Sequence, residues 1–238
     1  MSRGRAADLV LPSAGPDPIP LDTAVAAVLG YARARRPLRF RSISFPDGSW
    51  AQVPAFGHER FDAHPATDLP LGEVDILTAE GLHGRLRPPE WHALRDTLQE
   101  VRPVADALLD RAAGRAFHDL PDEEFSVLAE PGTVGALLRE LQEHAEPHYV
   151  LAALHHRHRD LVPLLSDTTW RQLGPHRQEG DSGVEAVIHR ELRANADAFD
   201  QLEKATAELS LTRLRLHDVL VWLTGSLRLA HAVAAGRT

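Results

Sequence analysis

The residues best suited to chemistry lie in the run EHAEPHYVLAALHHRHRDLVPLLSDTTWR, which spans 143–171. Asp167 ends a short apolar stretch there. A carboxylate at such a place could activate water or stabilise a positively charged transition state, because a nearby anion lowers the energy of developing positive charge. Asp167 also follows Ser166 in a pattern typical of a helix N-cap. It is therefore a candidate catalytic residue with a structural alternative.

The same run is rich in histidine. His144 and His148 are four residues apart and would share one helix face, a spacing that suits a metal ion. A third ligand and the HExxH pattern are missing from the sequence around them, so we expect no metal site. His155, His156 and His158 are predicted to lie in an exposed turn after the helix. No glycine pattern matches a phosphate-binding or dinucleotide-binding loop, and we therefore expect no cofactor.

Composition excludes several chemistries outright. The chain has no cysteine, which rules out thiol nucleophiles, disulfides, thiolate zinc sites and ordinary iron–sulfur clusters. Its single lysine, Lys204, lies in a polar helical stretch and is predicted to be a surface residue. The net charge of −8 argues against strong non-specific binding to a polyanion, because Lys and Arg supply most of that affinity.

Basic residues are nevertheless clustered in two places. Residues 155–177 hold four arginines and four histidines, and a second cluster lies near the amino terminus. The second cluster consists of Arg33, Arg35, Arg36, Arg39 and Arg41. If folding brought both clusters to one face, a nucleic-acid surface would be possible on an acidic protein. The alternative is that each cluster is a solvated helix end, where cations are favoured by the helix dipole.

The elements that position these residues are predominantly helical. Apolar residues recur at helical spacing from Asp22 to Pro37, again from Pro88 with an interruption at Pro103, and finally over 209–227. In the last of these helices His217 and Asp218 interrupt the apolar stripe, and we expect one of them to face solvent. The sequence predicts a mainly α fold with one small β-hairpin near residues 40–56.

The pattern predicts a flexible leader over residues 1–20 and a single helical domain over 21–238, which would divide, if at all, into 21–120 and 121–238. No apolar run approaches the roughly twenty residues that span a bilayer. The amino terminus is too polar and proline-broken for a secretory signal. We therefore expect a cytoplasmic protein without membrane association.

The order of an apolar helix, a His/Arg turn, an apolar run and Asp167 resembles the core of the helix-hairpin-helix DNA glycosylase superfamily. Aligned on Asp167, the catalytic lysine of that family falls on Tyr149. The hairpin glycines fall on Ala145 and Pro147, with Glu146 between them, where glycine would let a DNA phosphate approach the backbone. Glu146 would place a negative charge there. Residues 162–169 resemble the apolar run of the glycosylase family, which ends in Val-Asp-Thr. The region also looks like an uncharacterised actinobacterial family, in which the corresponding sequence is approximately Arg-Pro-x-Leu-Val-Pro-x-x-Asp.

This resemblance implies a helix-hairpin-helix-like central segment whose lysine chemistry is lost, since Tyr149 cannot form an imine. The leading hypothesis is a catalytically degenerate binding protein with DNA as its ligand. The residues expected to bind nucleic acid are His144, His148, Tyr149, His155, His156, Arg157, His158, Arg159 and Arg171. One alternative is a lysine-independent, glycosylase-like hydrolase that uses Asp167, and another is a scaffold for a protein partner. In a glycosylase-like fold, Tyr149 and Asp167 should face one cleft.

Overall fold

The computed structural model describes residues 8–66, 70–126 and 130–238. Within these ranges the chain forms ten α-helices, several short 3-10 turns and a two-stranded antiparallel sheet. The helices are α1 (Leu21–Arg33), α2 (Glu73–His83), α3 (Pro88–Ala112), α4 (Val134–Gln142), α5 (Pro147–Arg157), α6 (Asp167–Leu173), α7 (Val184–Ala194), α8 (Ala196–Ala205), α9 (Arg213–Gly225) and α10 (Leu229–Gly236). The strands are β1 (Arg35–Ser42) and β2 (Phe45–Pro54). The prediction of a mainly α protein with one small hairpin is confirmed.

The hairpin starts earlier than expected, at Arg35. The turn lies at Ile43 and Ser44, whereas the turn-like Pro46-Asp47-Gly48 segment lies inside β2. The strand register shifts between Phe40 and Ser42, which leaves the extra residues of β2 in a bulge. Gly48 adopts a φ of 85°, a conformation that glycine takes without strain. The residues that look like a turn in the sequence therefore form a bulge.

Two helices, α5 and α9, form the centre of the core. Residues 149–156 of α5 are all buried, as are residues 214–221 of α9. A helix that is apolar all round is expected to be enclosed by other elements. The expectation that His217 or Asp218 faces solvent was wrong, because both are buried and both have polar partners inside the protein.

Helices α1 and α10 approach each other unusually closely at two glycines. A Cβ built on Gly30 would lie 1.7 Å from the backbone oxygen of Ala232, and one built on Gly236 would lie 1.8 Å from that of Ala26. No side chain fits at either place. The two glycines therefore allow the backbones of α1 and α10 to pack directly against each other.

Several helix boundaries differ from the sequence prediction. Helix α3 continues through Pro103, whose ring lies on the exposed face while Val101 and Ala105 on either side are buried. The helical pattern after residue 183 breaks at Asn195, because the side chain of that residue is bonded to the backbone of Val10 and Glu191. In both cases tertiary packing decides where the helix ends.

The first described residues are not a flexible leader. Leu9 and Leu11 are buried, and Leu9 forms a β-bridge with Ile19. Ser13 donates from its backbone N–H and its hydroxyl to the carboxylate of Glu191, at 2.8 and 2.6 Å. The expectation of flexibility is thus wrong for residues 8–20, and its remainder, residues 1–7, lies outside the described residues.

Among the described residues, no single helix has the length and apolar character needed to cross a bilayer. Helices α9 and α10 together would pass on these criteria, but the chain bends by 119° between them.

Candidate functional site

Asp167 is the first residue of α6, and its side chain is exposed. The helix is capped one residue earlier than the sequence suggested, because the Ser166 hydroxyl accepts the backbone N–H of Thr169 at 3.2 Å. The N-cap interpretation of Asp167 was therefore wrong by one position. Its carboxylate is accessible to a ligand from solvent.

The residues around the α4–α5 hairpin are placed differently from the expectation. His144 precedes α5, which begins at Pro147, so it does not share a helix face with His148. Tyr149 is buried, and its hydroxyl donates to the carbonyl of Gly84 at 3.0 Å. No group of three or more metal-ligating side chains occurs in the described parts of the chain.

His155 and His156 do not lie in an exposed turn. Both are buried in the last turn of α5. His155 uses Nδ1 to bond the carbonyl of Val162 at 2.7 Å, and His156 uses Nε2 to bond that of His64 at 2.9 Å. Burial, followed by the nearby Arg215 guanidinium, lowers the pKa of His155 to about 3. A direct contact of these rings with nucleic acid is excluded in this conformation because their polar edges face inward.

The basic residues of the same segment are largely engaged within the protein. Arg157 forms a two-pronged ion pair with the buried Asp75, with contacts of 3.0 and 2.7 Å from Nη2. Arg159 donates to the carbonyls of Asp62 and His64, and His158 is half-buried. Arg171 is exposed, and its Nε donates to the Asp167 carbonyl at 3.2 Å.

The second basic cluster forms an exposed arm. We call the hairpin of residues 35–54 the basic hairpin, since it carries four arginines and one aspartate on a chain of net charge −8. Arg39 and Trp50 are cross-strand partners, and the guanidinium lies 6.0 Å from the ring centroid. Trp50 is 67 % exposed. Arg35 pairs with Glu59, whereas Arg36, Arg39 and Arg41 have no carboxylate partner among the described residues.

The basic hairpin ends beside a cavity of about 210 Å³. One side of it is formed by the residues that follow β2, namely Ala55, Phe56 and Gly57. Most of the other walls come from α2, from α9 and from the segment directly before α6. The remaining lining residues are Tyr31, Arg60, Leu82, His83, Leu164, Ser166, Arg215, Asp218, Val219, Trp222 and Arg228. Aromatic, aliphatic and charged groups thus converge on one cavity, which is the usual character of a ligand site.

The floor of this cavity is a buried polar centre built around Arg215. Its Nε and Nη2 donate to the Asp62 carboxylate at 2.6 and 3.1 Å, and its Nη1 bonds Asp218. The Tyr31 hydroxyl accepts from Arg215 and donates to Asp62, both at 2.7 Å. Asp218 also accepts from the Thr169 hydroxyl at 2.9 Å. One guanidinium is therefore shared between two carboxylates inside the protein.

The two carboxylates of the polar centre have opposite pKa shifts. Burial alone would raise the pKa of Asp62, but the charge and hydrogen bonds of Arg215 outweigh it and the pKa is lowered. For Asp218, burial outweighs the attraction of Arg215, and the pKa is raised. Burial also raises the pKa of Tyr31 well above its ordinary value. Asp218 is thus the carboxyl of the centre that protonates more easily, and it faces the cavity.

The neighbours of Tyr149 and Asp167 meet at this cavity. The Tyr149 ring packs on His83 with centroids 5.1 Å apart, and His83 lines the cavity. Ser166, directly before Asp167, lines it as well. The two positions are therefore connected to one volume through adjacent residues, although neither side chain forms its wall.

A family model matches residues 45–225 and is described as a family of unknown function, DUF6308. This chain belongs to that family. The DUF6308 match runs from the start of β2 to the end of α9 and so contains Asp62, Arg215, Asp218 and most of the cavity lining. Two lining residues, Tyr31 and Arg228, lie outside it. Comparisons with curated proteins and with solved structures gave no match.

Sequence reasoning missed the polar centre of this DUF6308 member. Its residues are spread from position 31 to position 218, and none forms a recognisable local motif. One signal was present: Arg215, His217 and Asp218 interrupt an otherwise apolar helix. Charged residues in a helix that is buried on all sides must find partners inside the protein. For that reason Arg215 could have been predicted to pair with an acidic residue far away in the sequence.

Proposed function

We propose that this protein binds DNA through the basic hairpin, on a helical core related to the helix-hairpin-helix glycosylases. The observation that carries the proposal is the exposed arm of arginines and Trp50 on an otherwise acidic chain. A two-stranded β-ribbon fits the major groove of duplex DNA. Arginines along such a ribbon would neutralise phosphates and release counterions.

The two faces of the basic hairpin have different chemistry. A Cβ on Gly48 would meet both Arg39 and Arg41, so these two side chains lie on the same side as Trp50. Phe40 and Phe45 contact each other edge to face, with ring centroids 6.0 Å apart. The arginine face supplies charge, and exposed aromatic rings can stack on unpaired bases.

The relation to the helix-hairpin-helix fold is supported by the order of elements. Two short helices, α4 and α5, are joined by a tight hairpin at 143–146, and an exposed aspartate begins α6 after an apolar run. Glu146, at the centre of that hairpin, has a left-handed backbone with φ 55°. Its carboxylate would repel a phosphate, and so we assign DNA contact to the basic hairpin instead.

No lysine lies near Tyr149 or Asp167 in sequence, since the chain has only Lys204. We therefore expect binding without the imine chemistry of lyases. Hydrolysis through Asp167 alone remains the alternative, favoured by the exposed carboxylate at the start of α6.

The test is fluorescence anisotropy of labelled duplex, single-stranded and abasic-site DNA across a salt series. With wild-type protein we expect binding that weakens with salt, with a slope of log K against log[salt] of about −3 if three phosphates are neutralised in a B-DNA duplex. The variant Arg36→Gln/Arg39→Gln/Arg41→Gln should lose most of this binding and most of the slope.

The matched control is Arg95→Gln/Arg102→Gln/Arg193→Gln, which removes the same charge from exposed sites on α3 and α7. It should bind nearly as tightly as wild type. Equal losses in both variants would mean that net charge alone acts. No binding by wild-type protein at low salt would overturn the proposal and favour a role with a protein partner.

A further inference from the structure

We infer that the cavity beside the basic hairpin binds a small nitrogen heteroaromatic ring that carries an anionic group. The inference goes beyond DNA binding and does not rest on it. It depends on three features of the cavity: its size and walls, two arginines at its rim, and one buried polar atom that has no partner among the described residues.

The size and walls fit one or two fused rings. An apolar cavity of roughly 150 Å³ accepts benzene, and this one measures about 210 Å³. Phe56 contacts Trp222 edge to face at 5.9 Å and stacks on Tyr31 at 5.8 Å. Leu82, Leu164 and Val219 supply aliphatic surface. Flat aromatic and branched walls favour a planar ligand.

The rim carries two positive charges, those of Arg60 and Arg228. Arg60 and Arg228 line the cavity, both are exposed, and neither has a carboxylate partner within the described parts of the chain. Arg228 lies over Trp222, with its guanidinium carbon 5.6 Å from the ring centroid. Arginine recognises carboxylate and phosphate groups by paired hydrogen bonds. An anionic substituent on the ligand would therefore rest at the rim while its ring enters the cavity.

The buried polar atom is Nε2 of His83, which has no hydrogen-bond partner in the described structure. Burial, with the neighbouring His148, lowers the pKa of His83 to about 4, so the ring is neutral at physiological pH. A neutral imidazole has one N–H donor and one acceptor nitrogen, and in the tautomer that carries its proton on Nδ1 the Nε2 atom is an acceptor. It would accept an N–H from the ring of the ligand, and a buried polar atom left unpaired is costly.

The deeper polar centre is not the anion site. The only arginine there, Arg215, is already bonded to Asp62, Asp218 and Tyr31. A second anion at that depth would meet two carboxylates. The ligand is thus oriented with its charged end outward and its N–H edge toward His83.

The experiment is isothermal titration calorimetry of the full-length chain with indole-3-acetate as probe. Two analogues each lack one feature: indole-3-acetamide has no charge, and 1-naphthaleneacetate has no ring N–H. We expect indole-3-acetate to bind at least fivefold more tightly than either analogue. AMP and adenosine, whose adenine offers an exocyclic amino N–H in place of a ring N–H, form a second pair. AMP binding without adenosine binding would identify a nucleotide phosphate as the source of the anion.

Variants separate the cavity from other surfaces. Arg60→Gln/Arg228→Gln should weaken binding of the anionic probe at least tenfold, whereas Arg85→Gln, an exposed arginine outside the cavity, should not. Leu82→Trp fills the cavity and should abolish binding, whereas Leu77→Trp, at an exposed site of the same helix, should not.

Binding of neither indole-3-acetate nor AMP would overturn the inference. It would also be overturned if charged and neutral probes bound alike, or if Leu82→Trp bound as well as wild type. Because DNA binding is tested with a different variant set, failure here and failure of the basic hairpin can be told apart.

Discussion

Arg215 holds the carboxylate of Asp62 with two hydrogen bonds, from Nε to Oδ1 at 2.6 Å and from Nη2 to Oδ2 at 3.1 Å, across 153 residues of sequence. Both side chains are buried. The pair ties the segment before α2 to α9 and leaves Asp218 as a second carboxylate on the same guanidinium. Replacing one charged group there must leave the others without compensation.

Arg215→Met is therefore expected to destabilise the protein by about 3–5 kcal/mol, because removal of one partner of a buried ion pair exposes the full cost of the remaining charge. The measurement is urea unfolding at neutral pH. The control is Arg33→Met, which removes an ion pair with Glu208 whose side chains are 52 % and 58 % exposed. That change should cost at most about 1 kcal/mol. Similar costs for both variants would contradict a larger role of the buried ion pair in stability.

Gly30→Ala should also be strongly destabilising, since its new methyl group would overlap the backbone oxygen of Ala232. Helices α1 and α10 would have to separate, and overpacking of this kind costs typically about 1–3 kcal/mol. Thermal unfolding measures the loss. Gly174→Ala serves as the comparison, because a Cβ at that position would have no neighbouring atom within 4 Å, and the change should be neutral or slightly stabilising.

The buried histidines predict acid sensitivity. The pKa of His155 is about 3 in the folded protein, against an ordinary value of 6.5. Between these values the unfolded chain takes up a proton that the folded protein does not. The stability contributed by the neutral ring is present above pH 6.5 and falls as the pH approaches 3. At pH 5 the loss from this residue alone is about 2 kcal/mol.

His155→Asn tests this origin of the acid sensitivity. Asparagine can still donate to the Val162 carbonyl, as His155 Nδ1 does, but it cannot become charged. Urea unfolding at pH 7 and pH 5 should show a smaller difference for the variant than for wild type. Identical pH dependence would mean that other groups, such as His156 and His189 with their lowered pKa values, account for the effect.

Asp167→Asn should fold normally. Its carboxylate is exposed at the first turn of α6, where a negative charge stabilises a helix by about 0.3–1 kcal/mol. Ser166→Ala removes the capping hydroxyl and should cost about 0.5–2 kcal/mol.

A base-release assay on duplex DNA tests whether Asp167 has a chemical role. Activity in wild type that disappears in the folded Asp167→Asn variant would establish chemistry, and equal residual activity would exclude it.

The fold class was predictable because hydrophobic periodicity is local. Helical spacing located most helices, and two short runs on either side of residues 45–49 located the hairpin. Boundaries were less predictable because distant contacts set them: the partners of Asn195 end one helix, and burial on either side of Pro103 carries another past a proline. The α1–α10 contact depends on small residues whose role appears only when the two helices meet.

The candidate site was much less predictable. His155 and His156 were expected at the surface because histidine is polar, yet carbonyl acceptors at Val162 and His64 satisfy them inside. Asp62 carried no local signal. Its role depends on Arg215, and a pairing across so much sequence follows from tertiary structure alone.

The contact between α1 and α10 has a consequence for synthesis of the chain. Helix α1 leaves the ribosome early, but the surface around Gly30 finds its partner only when α10 emerges. Tyr31, on the same helix, completes the polar centre with residues of α9, which also emerges late. Helix α1 can therefore complete these two contacts only after the intervening helices have been synthesised. Contacts between segments so far apart in the sequence slow folding, because the chain loses loop entropy before they form.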